Sequence, residues 1–130
     1  MLKTSVNANL SRIVIYCRSY PLARTRLNRK KGIYQPLSAQ EESIYWLYQY
    51  EPLKIDYPIK IDVTYGFFKT GKLLHPVSPT IGDIDNHIKA LLDNLQRTDH
   101  LVDDRFVIEI NAIKTWSTSN FIDIKFWRIK

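Results

Sequence analysis

Ile59-Lys60-Ile61-Asp62-Val63-Thr64-Tyr65-Gly66-Phe67 is the stretch that decides the fold: apolar side chains occupy every second position and alternate with Lys60, Asp62, Thr64 and Gly66. A period of two puts one set on each face of a pleated strand, so this is a half-buried β-strand with an apolar core face. After it, residues 68–82 carry two glycines and two prolines and read as a long loop. The period then changes. Ile84, Ile88, Leu91, Leu92 and Leu95 recur at helical spacing, the stripe of an amphipathic helix that lays one face on the sheet.

Working outward from this strand, Ile13, Ile15 and Cys17 alternate with Val14 and Tyr16, a short strand with apolar residues on both faces. Residues 21–36 are rich in Pro and Arg and read as a surface arm or loop. Ser38, followed by Gln40, Glu41 and Glu42, has the composition of a helix start, and that helix runs to Tyr50 before Pro52 stops it. Downstream, Phe106, Ile108, Ile110 and Ala112 alternate with polar residues. A polar turn at 117–120 leads into Ile122, Ile124 and Phe126, which predicts a terminal β-hairpin. The order is β-α-β-α-β-β: an α/β (α+β) chain with a mixed sheet and two main helices. Its 130 residues are the size of one domain, 1–130.

The net charge of +6 is unevenly spread. Residues 1–40 hold eight bases and no acid, whereas 41–130 hold eleven bases and all thirteen acids. A local basic field attracts polyanions, nucleic acid before anionic membrane, although a solubilising face has the same composition. The single cysteine, Cys17, forms no intrachain disulfide and sits in an apolar run, which points to a buried thiol in a reducing compartment. No run reaches the length of a membrane span, so the expected location is the cytoplasm, without membrane association.

Gly82-Asp83-Ile84-Asp85-Asn86-His87-Ile88-Lys89 places two acids and a lysine at the start of the second helix, and Asp103-Asp104 precede the third long strand. Asp85 and Lys89 are i, i+4 neighbours. Two readings stand side by side. Asp83 is a helix N-cap, Asp85 compensates the helix dipole and Lys89 is its salt-bridge partner; or the polar ends of loop, helix and strand converge on a site. Asp93, a turn further on, is within reach of Lys89. A calcium loop beginning at Asp83 fails, because Ile88 and Asn94 stand where glycine and glutamate are needed. Cys17, His75, His87 and His100 lack zinc-ligand spacing; His75 and His100 read as loop residues and His87 as an exposed helix residue. Glu109 is followed two residues later by Asn111 rather than lysine, which argues against a PD-(D/E)xK nuclease.

Asp83-Ile84-Asp85-Asn86-His87-Ile88-Lys89, then Leu92-Asp93-Asn94-Leu95, then Val102-Asp103-Asp104-Arg105-Phe106-Val107, with Lys114 downstream, resembles the RusA-type Holliday junction resolvases. Pro21, Arg24, Arg26, Gly32 and Tyr34 also look like that family's front end, so the resemblance covers most of the chain. It departs at Asn94, where the family often has a small residue, and in a loop before Asp83 that is not strongly basic.

The resemblance implies a crossover junction endodeoxyribonuclease of bacterial or phage origin that resolves four-way DNA junctions in recombination and repair. It implies Asp83, Asp85 and Asp104 as metal-binding carboxylates, Lys89 as a catalytic lysine, Asp103 as the less critical acid of its pair, Mg²⁺ with Mn²⁺ as possible substitute, and a homodimer. Paired cuts by a small single-site domain require the same two-fold assembly. Arg18, Arg24, Arg26, Arg29, Lys30 and Lys31 would bind backbone phosphates. Tyr34, Tyr45, Trp46, Tyr48 and Tyr50 are candidates for base stacking, against a bland role in the core. The competing function is a non-catalytic basic nucleic-acid-binding module in which the acids only cap helices.

Overall fold

The computed structural model describes residues 2, 5–6, 9–22, 26–28, 32–34 and 38–130. Two layers are formed, a mixed sheet and the helices on one of its faces. The strands are β1 (Ser5–Val6), β2 (Leu10–Ile15), β3 (Arg26–Asn28), β4 (Gly32–Tyr34), β5 (Ile59–Phe68), β6 (Val107–Ser117) and β7 (Phe121–Arg128); the helices are α1 (Glu41–Tyr48) and α2 (Ile84–Arg97). The main sheet runs β1-β2-β7-β5-β6, and β3 and β4 pair separately. The long elements keep the expected order β-α-β-α-β-β. Ile13, Ile15, Ile61, Val63, Tyr65, Phe67, Ile122, Ile124 and Phe126 bury their side chains with Leu47, Leu91 and Leu95 of the helices. The opposite face of the sheet carries ion pairs such as Arg12 with Asp123 (2.7 Å) and Lys60 with Glu109 (3.2 Å). Among the described residues no helix is long and apolar enough to cross a membrane.

Five expectations need correction. β6 and β7 are not a hairpin: β5 lies between them, parallel to β6 and antiparallel to β7. The three-residue link 118–120 passes over the end of β5, where Asn120 Oδ1 accepts the Phe68 N–H at 2.8 Å. Alternation specifies which face a side chain takes but not which strand lies alongside. Inside 21–36 there is a short β3–β4 pair rather than plain loop. The first helix begins later, because Ser38–Gln40 is a 3₁₀ turn and Gln40 holds the N-cap position, and it ends at Tyr48. Tyr45, Trp46 and Tyr48 are exposed, since so short a helix turns only Ser43 and Leu47 fully inward. His87, expected to be exposed, is completely buried at 0% exposure, as is the loop residue His100.

The buried histidines have partners that fix their tautomers. Nε2 of His100 donates to the Leu47 carbonyl at 2.7 Å, and Nδ1 accepts the Leu53 N–H at 3.3 Å. Burial lowers its pKa, opposed in part by the carbonyl bond. The buried Asn94 is met by Gln40: Asn94 Nδ2 donates to Gln40 Oε1 at 3.0 Å, and Gln40 Nε2 donates to the Tyr20 carbonyl at 2.9 Å. Cys17 is the expected buried thiol, with its pKa raised by burial.

Candidate active site

Asp83 takes the N-cap position of α2 with extended backbone, yet its side chain makes no capping bond. Asp85 follows in the first turn and Lys89 one turn later, both exposed. The helical spacing brings Asp85 and Lys89 onto one face, but no ion pair joins them; Asp93 pairs instead with Arg97 at 3.1 Å. Asp103 accepts the Arg105 N–H at 2.9 Å and so caps the 3₁₀ turn Asp104–Phe106, while the Asp104 side chain has no partner among the described residues. Among the described residues, the side chains of Asp83, Asp85, Lys89 and Asp104 are therefore uncommitted, and Asp103 and Asp93 serve local structure. The capping and salt-bridge roles open to Asp83, Asp85 and Lys89 from the sequence are not taken up.

The backbone in front of Asp83 is held by side chains from elsewhere. Nε2 of His87 donates to the Ile81 carbonyl at 2.6 Å, which leaves Nδ1 to accept the Ser19 hydroxyl at 2.7 Å. Burial of the ring lowers its pKa and keeps this neutral tautomer. Lys114 Nζ donates to the Gly82 carbonyl at 2.9 Å. Gly82 itself has φ +85, and an added Cβ would lie 3.0 Å from the Pro21 ring, so glycine suits both backbone and space. Lys114 has no role legible in the sequence, and His87 is buried rather than exposed; its place on the inward face of α2 is the sequence signal for that burial.

The same geometry separates the acids. Asp104 N–H is bonded to Gln96 Oε1 at 3.2 Å, near the last turn of α2, whereas Asp83 and Asp85 begin that helix. Fourteen residues of helix are about 20 Å long at 1.5 Å per residue. β6 gives a second ruler: Lys114, near its end, holds Gly82, and Asp104 precedes its start. The seven steps from Val107 to Lys114 add roughly 23 Å. The two acidic ends do not converge within one chain, and among the described residues no three His, Cys, Asp or Glu side chains form a group able to hold a metal ion. The expectation of convergence within a single chain is thus corrected: α2 runs antiparallel to β6, as a crossover between parallel strands must.

Leu22, within the basic segment, lies beside the first pair of acids, where its N–H donates to the Asn86 carbonyl at 3.0 Å. Arg18 lies against the same loop, its Nη2 3.3 Å from the Thr80 carbonyl. Of Arg26 and Tyr34 only the backbone, in β3 and β4, is described; Arg24, Arg29, Lys30 and Lys31 lie outside the described residues. Tyr50 is half-buried and donates its hydroxyl to the Val14 carbonyl at 2.7 Å.

Comparison with known proteins gives one family. The sequence profile described as endodeoxyribonuclease RusA matches residues 18–126, a span that includes both acidic ends and the lysine. No curated protein matches the chain.

Proposed function

This chain belongs to the RusA endodeoxyribonuclease family, and from that premise we propose that it resolves four-way DNA junctions as a divalent-metal-dependent two-fold homodimer. The observation that carries the reading is the placement of uncommitted acids at opposite ends of α2 and β6. β6 is the edge of the sheet and has one unpaired side. A two-fold axis crossing β6 near its middle sets the Asp83 end of one protomer against the Asp104 end of the other. Each dimer then holds two sites, each built from Asp83 and Asp85 of one protomer and the partner's Asp104, and two sites serve two matched cuts.

The donor set fits the ion the family implies. All three ligands are hard carboxylate oxygens with no lysine or arginine paired to them among the described residues, which suits Mg²⁺, with Mn²⁺ as substitute. A bound cation supplies Lewis-acid polarisation of the phosphate and a water of lowered pKa. Lys89, one turn beyond Asp85 and free of any ion pair, holds the charge that builds on the phosphate. Lys114 and His87 keep the Asp83 backbone in place. The arm from Arg24 to Lys31 grips backbone phosphates and carries recognition of branched shape.

Mixed dimers test the arrangement. Asp85→Asn and Asp104→Asn homodimers are each expected to be inactive on labelled junction with Mg²⁺. Co-refolded together, half the dimers carry both variants and gain one intact site, restoring about a quarter of wild-type nicking. No recovery places all three ligands in one chain. A wild-type protein that binds junctions yet never cuts them with Mg²⁺ or Mn²⁺ is the non-catalytic binding module instead.

A further inference from the structure

A half-open cleft of about 190 Å³ lies beside the loop that carries Asp83, and the metal site does not use it. Arg18, Phe67, Phe68, Thr80, Trp116 and Asn120 contribute to its lining. The Arg18 guanidinium is only partly satisfied. Among the described residues its Nε is buried without a hydrogen-bond partner, Nη2 bonds the Thr80 carbonyl at 3.3 Å, and the Tyr20 ring lies 5.0 Å from its carbon. No acid pairs with it among the described residues. Buried donors in folded proteins are nearly always bonded, so an open one calls for an acceptor from outside.

The rest of the lining narrows the chemistry of that acceptor. Trp116 is held by its indole N–H to the Leu73 carbonyl at 2.9 Å, with the Lys69 ammonium 5.4 Å from its ring centre. Asn120 spends its carbonyl oxygen on the Phe68 N–H, which leaves its amide hydrogens available. Aromatic walls with two sets of donors suit a flat heterocycle bearing ring nitrogens and carbonyls, and base–aromatic stacking is the usual means of holding an unpaired base. The volume falls below the roughly 300 Å³ of drug-sized sites and admits one such ring. Ile81 lines the cleft and only Gly82 separates it from Asp83, so whatever enters belongs to a nucleotide adjoining the phosphate at the acids.

We propose that this cleft receives one unstacked nucleobase of the cleaved strand and sets the sequence preference of the cut. The inference rests on the nuclease reading above for the identity of the strand. Its test is a binding cycle in EDTA that needs no cleavage. Abasic sugars, which keep the phosphate, are placed one at a time through the nucleotides flanking the crossover of a fixed junction. Wild-type affinity is expected to fall about tenfold at one position, and Arg18→Gln and Trp116→Leu are expected to be indifferent to the missing base there. Abasic sugars tolerated at every position, or penalised equally in wild type and both variants, overturn the proposal. Loss of affinity in Arg18→Gln with no abasic effect in wild type assigns the arginine to a backbone phosphate and overturns it too. Failure of wild type to cut any junction sinks the nuclease reading and leaves this cycle still decisive for the cleft.

Discussion

Lys89 shows how a residue's surroundings decide between two meanings of the same spacing. With no ion pair to lose and an exposed side chain, Lys89→Ala should change stability by less than about 0.5 kcal/mol. Single-turnover cleavage at saturating enzyme should drop by about a hundredfold, as for loss of one transition-state donor; an unchanged rate beside an unchanged melting curve removes Lys89 from the site. For the acids the sign of a charge effect is diagnostic. Asp85→Asn removes negative charge facing a phosphate, so it should abolish metal-dependent cutting while binding junction in EDTA as tightly as wild type or tighter. Asp93→Asn loses only the exposed pair with Arg97 and should cut normally, at a cost of about 0.3–0.5 kcal/mol. His100 carries a pH signature. Burial lowers its folded pKa, so its contribution to stability is complete above the unfolded value of about 6.5 and is lost as pH falls below it. Melting temperature should therefore decline from pH 7 toward pH 5, and less steeply in His100→Gln.

At the scale of elements, β6 matters most, because it is an edge and because the proposed two-fold axis crosses it. Ile108 and Ile113 are 61% and 50% exposed on that strand, an apolar display that an isolated edge would normally avoid. Ile108→Lys and Ile113→Lys should leave the fold of a protomer intact yet shift sedimentation toward monomer and lower cleavage in step with it; a fully active monomer would end the composite-site reading. The long strands and α2 were legible in the sequence because their periods are long and clean: Ile59–Phe68 was expected to within a residue and Ile84–Arg97 to within two. Sheet order was not legible, since two strands joined by three polar residues look like a hairpin whether or not a third lies between them. The separation of Asp83 from Asp104 was hidden for the same reason: spacing along the chain does not say at which end of a helix a following loop comes to rest. The deep placement of His87 is signalled only by its position on the inward face of α2, and its partners, Ser19 and the Ile81 carbonyl, are supplied only by the folded loop.

Over the whole molecule, charge is divided unevenly along the sequence: the first forty residues carry eight bases and no acid, and Leu22 within them is bonded to Asn86, close to the first acids. Replacing Arg24 and Arg26 with Ala should reduce the slope of log K against log salt by up to about 1.8, the value for two phosphate contacts; an identical slope assigns junction affinity to other bases. The lateral order of the sheet bears on how such a protein is made. β7 pairs with β2 on one side and β5 on the other, so the segment synthesised last among the strands joins the two halves of the core. A nascent chain still lacking Phe121–Arg128 has β2 on one side of a gap and β5 on the other, with Ile13, Ile61 and Tyr65 open to solvent. Translation must therefore pass β7 before the sheet closes, and a ribosome stalled short of it holds an unclosed chain with no finished surface against which a second copy could assemble.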